Sequence, residues 1–93
     1  MSESETIKAK IREFVMEDAQ TKGITNIGDG DSLTEAGIVD SLGIFRLVSF
    51  LEENFGVRIS DEEIVHDNFQ TISDIEQFVS AKLASKREKT AAH

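Results

Sequence analysis

The sequence predicts an all-α fold: a small bundle of three longer helices plus one short helix, with a long loop between helices 1 and 2. Apolar residues recur at helical spacing in three separate segments, and each segment has recognisable end signals. The chain has 93 residues and no proline. That length suits one domain of three or four helices and is too short for a roomy catalytic cleft.

The first helix is expected from about Ser4 to Lys22, with Ile7, Ile11, Phe14, Val15 and Ala19 on one face. Ser2 followed by Glu5 is a capping-box pair, and Gly23 is placed to stop the helix in a left-handed conformation. From Ile24 to Val39 the periodicity dissolves among Gly28, Gly30 and Gly37. Isolated apolar residues (Ile24, Ile27, Leu33, Ile38) mark this as an ordered loop plugged into the core. A connection of that length is either functional or contains a short helical turn.

The second helix is expected from Ser41 to Phe55, before Gly56, with Ile44, Phe45, Leu47, Val48, Leu51 and Phe55 toward the core. Val57 and Ile59 continue as a short apolar connection. Ser60-Asp61-Glu62-Glu63 then opens a short third helix to about His66. Thr71 and Asp74 cap the fourth, whose stripe is Ile72, Ile75, Phe78, Val79 and Leu83. Residues 1–84 form the domain, and 85–93 are expected to be a frayed polar tail.

Composition excludes several functions. There is no cysteine, so a disulfide framework, a thiolate metal site and a cysteine nucleophile are out. Acids outnumber bases 18 to 10, which disfavours nucleic-acid binding. Between Gly23 and Ala81 the imbalance is twelve acids to two bases, Arg46 and Arg58. Such a block steers a domain toward basic partner surfaces or simply keeps it monomeric. No stretch approaches the ~18 apolar residues of a membrane span. The opening residues lack the pattern of a signal peptide. A cytoplasmic monomer without membrane insertion is expected. The only imidazoles are His66, expected near the C-terminal end of the third helix, and His93 in the tail. Neither is poised to activate a serine. Asp61, Glu62 and Glu63 suit the first turn of a helix on dipole grounds, and no metal site is assigned.

The informative segment is Gly37-Ile38-Val39-Asp40-Ser41-Leu42, which leaves a serine where a loop becomes a helix. A phosphate esterified to Ser41 would sit at the positive end of the dipole, beside backbone N–H groups that lack intrahelical acceptors. The plain reading is that Asp40 or Ser41 only caps the helix. Asp31-Ser32-Leu33 repeats the same tripeptide nine residues earlier, so the letters alone do not mark a site. The second copy opens a strong amphipathic helix and the first does not.

From about Leu33 to Leu83 the pattern resembles the acyl carrier protein family, which includes peptidyl and D-alanyl carrier proteins. The matching features are Asp40-Ser41-Leu42, the helix from Leu47 to Phe55, the connection from Gly56 to Glu63, and Phe69-Gln70-Thr71-Ile72. The resemblance implies a non-enzymatic carrier. A phosphopantetheinyl transferase would attach 4′-phosphopantetheine from coenzyme A to Ser41, Asp40 would help position the reaction and its magnesium, and Leu42 would contact the transferase. The cargo would be an acyl or aminoacyl thioester, handed among loading and transferring enzymes. Carriers for fatty acid synthesis usually have acids two and five residues after the modified serine, where this chain has Gly43 and Arg46. That departure points to a specialised pathway, and the glycine is similar to D-alanyl and free-standing aminoacyl carriers. Gly43, Arg46, Ser49, Phe50 and Glu53 are the residues expected to dock a dedicated partner. Phe50 could instead fold under the long loop beside Leu33.

Overall fold

The computed structural model describes residues 3–91 and contains α1 (Glu3–Thr21), α2 (Ser41–Phe55), a 3-10 turn (Asp61–Glu63), α3 (His66–Phe69) and α4 (Ile72–Ala91). The proposed Ser2 cap and His93 lie outside the described residues. α1 ends as its glycine requires. Gly23 has φ +80, its N–H donates to the Gln20 carbonyl at 3.1 Å, and the N–H of Ile24 reaches back to Ala19 at 2.9 Å. This pair of bonds satisfies carbonyls that the helix end would otherwise leave open. Gly56 ends α2 in the same left-handed region, at φ 64.

The core is one apolar cluster. Ile7, Ile11 and Val15 of α1 meet Leu47, Val48 and Leu51 of α2, and Ile72, Ile75 and Val79 of α4, with Phe69 of α3 buried among them. α4 packs against the other three helices. The long loop contributes Ile27, Leu33, Ile38 and Val39 to the same cluster, as its isolated apolar residues predict. It also contains a helical turn: Ala36 N–H donates to the Ser32 carbonyl at 3.0 Å and Gly37 follows at φ +76.

Polar bonds fix the loop on both sides. Leu33 N–H donates to the Gln70 carbonyl at 2.8 Å, and Ser73 N–H to that of Asp29 at 3.1 Å. From α1, the Arg12 guanidinium donates to the Ile27 carbonyl at 2.7 Å and pairs with the Asp29 carboxylate. Thr71 caps α4 as expected, its hydroxyl accepting from Asp74 N–H at 3.0 Å.

Two expectations change. The single short helix from Ser60 to His66 is divided in two. Glu63 accepts from Ser60 N–H at 3.0 Å, as in a capping box, and holds Lys82 of α4 at 2.8 Å, and the first turn ends at Ile64, whose backbone (φ -83, ψ 73) leaves the helical region. Both contacts, that with Lys82 first, keep the Glu63 carboxyl below its ordinary range. His66 therefore opens α3 rather than closing a helix, and is exposed. Phe45, assigned to the core, is 58% exposed. α4 runs to Ala91, through residues 85–91 of the expected polar tail. Ser85, Lys86, Arg87, Glu88 and Lys89 include no glycine or proline to stop it, and most are good helix formers.

Candidate functional site

The site is built where the loop enters α2. Asp40 is the cap: its backbone is extended (φ -110, ψ -170), and its Oδ1 accepts from Gly43 N–H at 2.7 Å. Of the two capping readings the aspartate is correct, and Ser41 follows as the first helical residue. Asp40 is exposed, and Leu42 on the other side of the serine is 76% exposed. The Asp40 carboxyl is held below its ordinary value chiefly by the Gly43 N–H. Desolvation opposes this, and the charges of Lys22 and Arg46 add to it. Lys22 comes from the end of α1 and donates to the Ile38 carbonyl at 2.6 Å. The aspartate therefore stays ionised at neutral pH, with two cations from different elements in its field.

Gly43 was expected on a docking surface but is buried. A Cβ there would lie 3.3 Å from Asp40 Oδ1 and 3.6 Å from Val39 Cγ1. A side chain there would press on the capping carboxylate.

The other copy of the tripeptide is consumed by the loop. Asp31 Oδ2 accepts from Gly28 N–H at 2.7 Å, and Ser32 Oγ lies 3.2 Å from Thr34 Oγ1 and 3.3 Å from Glu35 N. Leu33 is fully buried. Only Asp40-Ser41-Leu42 starts a helix and flanks its serine with exposed residues.

Leu42, Arg46, Ser49 and Glu53 recur at i, i+4, i+7 and i+11 and line an open groove of about 580 Å³, walled by Phe45, Phe50 and Phe14 of α1. Phe50 is half-buried, stacked on Phe14 at 4.5 Å between centroids and edge-on to Phe55 at 6.5 Å. Arg46 does not present a free positive charge, because it pairs with Asp18 at 2.8 Å across the two helices. Thus Arg46, Ser49, Phe50 and Glu53 share a surface, and Gly43 does not belong to it. Sequence reasoning missed Phe14, Phe45, Asp18 and Lys22. Asp18 and Lys22 stand at i, i+4, a spacing that suggests a pair with each other rather than the partners they take, Arg46 and the Ile38 carbonyl. Among the described residues no set of three or more His, Asp or Glu side chains is placed to hold a metal ion. No helix there is long and apolar enough to cross a membrane.

Residues 5–79 match the family model described as a phosphopantetheine attachment site. The chain belongs to this carrier family. It is 37% identical to an acyl carrier protein of Arthrobacter sp. (strain FB24), over 86% of this chain and 95% of that one. It is 33% identical to the D-alanyl carrier protein of Streptococcus pyogenes serotype M5, over 85% and 92%. The crystal structure of an acyl carrier protein from Thermotoga maritima superposes with a TM-score of 0.62 at 30% identity, covering 85% of this chain and 92% of that one. The carrier bears 4′-phosphopantetheine covalently, and the start of α2 fits such a group. A fifteen-residue helix supplies the positive dipole end, next to the exposed Asp40 and Leu42.

Proposed function

We propose that Ser41 carries the 4′-phosphopantetheine arm and that the protein, itself no enzyme, delivers an acyl thioester from it within a specialised pathway. The single observation behind this assignment is the contrast between the two tripeptides: Leu33 is buried and Leu42 is 76% exposed, so one serine is enclosed by its loop and the other opens a helix. When bound, the arm supplies the thiol that the cysteine-free chain lacks. Asp40 holds the helix end in shape through Gly43 N–H and offers an ionised carboxylate for the magnesium of the transfer reaction. Leu42 is the apolar contact for the phosphopantetheinyl transferase. The working form is a cytoplasmic monomer that meets its loading and transferring enzymes through the α2 groove.

Incubation with coenzyme A, magnesium and a broad-specificity transferase should add the mass of one arm. Ser41→Ala should show no gain. A gain that survives that change would refute the assignment.

The D-alanyl relatives and the glycine at position 43 support a second reading of the cargo, an aminoacyl group. Offering the arm-bearing, cargo-free protein with ATP to a D-alanine-activating ligase and D-alanine and, separately, to a fatty-acyl ligase and a fatty acid distinguishes the two. The favoured reading expects the acyl product.

A further inference from the structure

The groove on α2 does not end at that helix. Its wall is the Phe14–Phe50 stack, and behind the stack lies a second hollow of about 320 Å³ lined by Lys10, Glu13, Glu17 and Asn54. The stacked rings therefore form a ridge between two depressions, one on each side of the α1–α2 seam. Leu42 to Glu53 spans eleven residue steps, about 16 Å or three helical turns.

Charge on this face is asymmetric. Arg46 is cancelled by Asp18. Lys10 lies over the Phe55 ring, 5.7 Å from its centroid. Glu13, Glu17 and Glu53 are exposed, and none has an ion-pair partner among the described residues. Three acids against one lysine leave an apolar channel with a negative border, two of whose three acids belong to α1.

We infer that α1 is part of the partner interface, and that the occupant of this face is an amphipathic helix of a partner protein. Its apolar ridge lies between Phe45 and Phe50, and its lysines or arginines meet Glu13, Glu17 and Glu53. Opposite charge at the rim orients such a helix, while the channel supplies the apolar contact. This rests on the carrier reading in treating the face as a partner surface. Peptide binding and arm attachment are separate measurements, so either can fail alone.

The test is to titrate the full-length, unloaded, isotope-labelled protein with an 18-residue helical peptide of leucine and lysine, following amide shifts by NMR. Saturable shifts centred on Phe14, Glu17, Phe45 and Phe50 are expected. Glu13→Lys combined with Glu17→Lys should raise Kd at least tenfold, and Phe45→Ser at least fivefold. Glu62→Lys combined with Asp67→Lys, the same charge change elsewhere, should raise it less than threefold. Circular dichroism confirms that each variant is folded. Equal weakening by the two double variants would overturn the inference by reducing the binding to net charge. Shifts centred on residues 61–67, a dimer that covers the groove, or phosphatidylcholine vesicles that displace the peptide would overturn it as well.

Discussion

Asp31-Ser32-Leu33 and Asp40-Ser41-Leu42 have the same letters and opposite fates. In the first, the aspartate closes a turn onto Gly28, the serine bonds within the loop and the leucine is fully buried. In the second, the aspartate caps a helix, the serine begins it and the leucine faces solvent. What separates them is the following sequence. Thr34-Glu35-Ala36-Gly37 permits one helical turn and then a left-handed glycine, whereas the residues after Leu42 sustain fifteen residues of helix. A helix end with exposed flanks suits the presentation of a modified side chain better than a turn anchored by a buried leucine.

The contrast can be broken most decisively by the arm itself. Ser41→Ala should lose all mass gain in the transferase reaction, and Ser32→Ala should retain it; modification at Ser32 would reverse the comparison. Next in size are the leucines. Leu33→Ala should lower stability by about 2–5 kcal/mol through the cavity it leaves. Leu42→Ala should stay within about 0.5 kcal/mol, both read from urea unfolding. A smaller effect is expected at Arg46, whose pair with Asp18 is 63% exposed on the arginine side. Arg46→Gln should cost about 0.2–1 kcal/mol at low salt and less as salt rises.

The smallest effect is a matter of pH. The Asp40 carboxyl titrates below its ordinary 3.8 in the folded protein. Its stabilising contribution is therefore complete above the unfolded-state value and is lost as pH falls through the folded one. Asp40→Asn keeps a good cap, so stability at neutral pH should barely move while the acid limb of the stability curve becomes shallower. An unchanged acid limb would mean that the cap bond does not depend on the charge.

Much of the framework was legible because the signals were local. The span of α2, its glycine stop, the Thr71 cap and the apolar anchors of the long loop all follow from short-range chemistry. Phe45 was misread because periodicity has soft edges. At about 100° per residue it lies roughly 110° from the centre of the stripe formed by Ile44, Leu47, Val48 and Leu51. Phe50 lies about as far to the other side, yet it is half-covered because α1 places Phe14 against it. Which of two marginal positions is covered depends on where the neighbouring helix passes, and no property of α2 alone encodes that. The burial of Gly43 was illegible for a similar reason: helical projection places it near the surface, but the cap lies against it. The Arg46–Asp18 pair joins residues 28 positions apart and has no local signature.

One small contact bears on reach. Lys22 bonds the Ile38 carbonyl at 2.6 Å, two residues before the cap, while Arg46 grips Asp18 one turn earlier on α1. The end of the first helix thereby braces both the last stretch of the loop and the opening of the second. The proposed arm on Ser41 would then be hinged to a base braced by two contacts from α1. The volume swept by its thiol would be set chiefly by the arm's own rotatable bonds, and an enzyme taking the thioester would have to come within that radius.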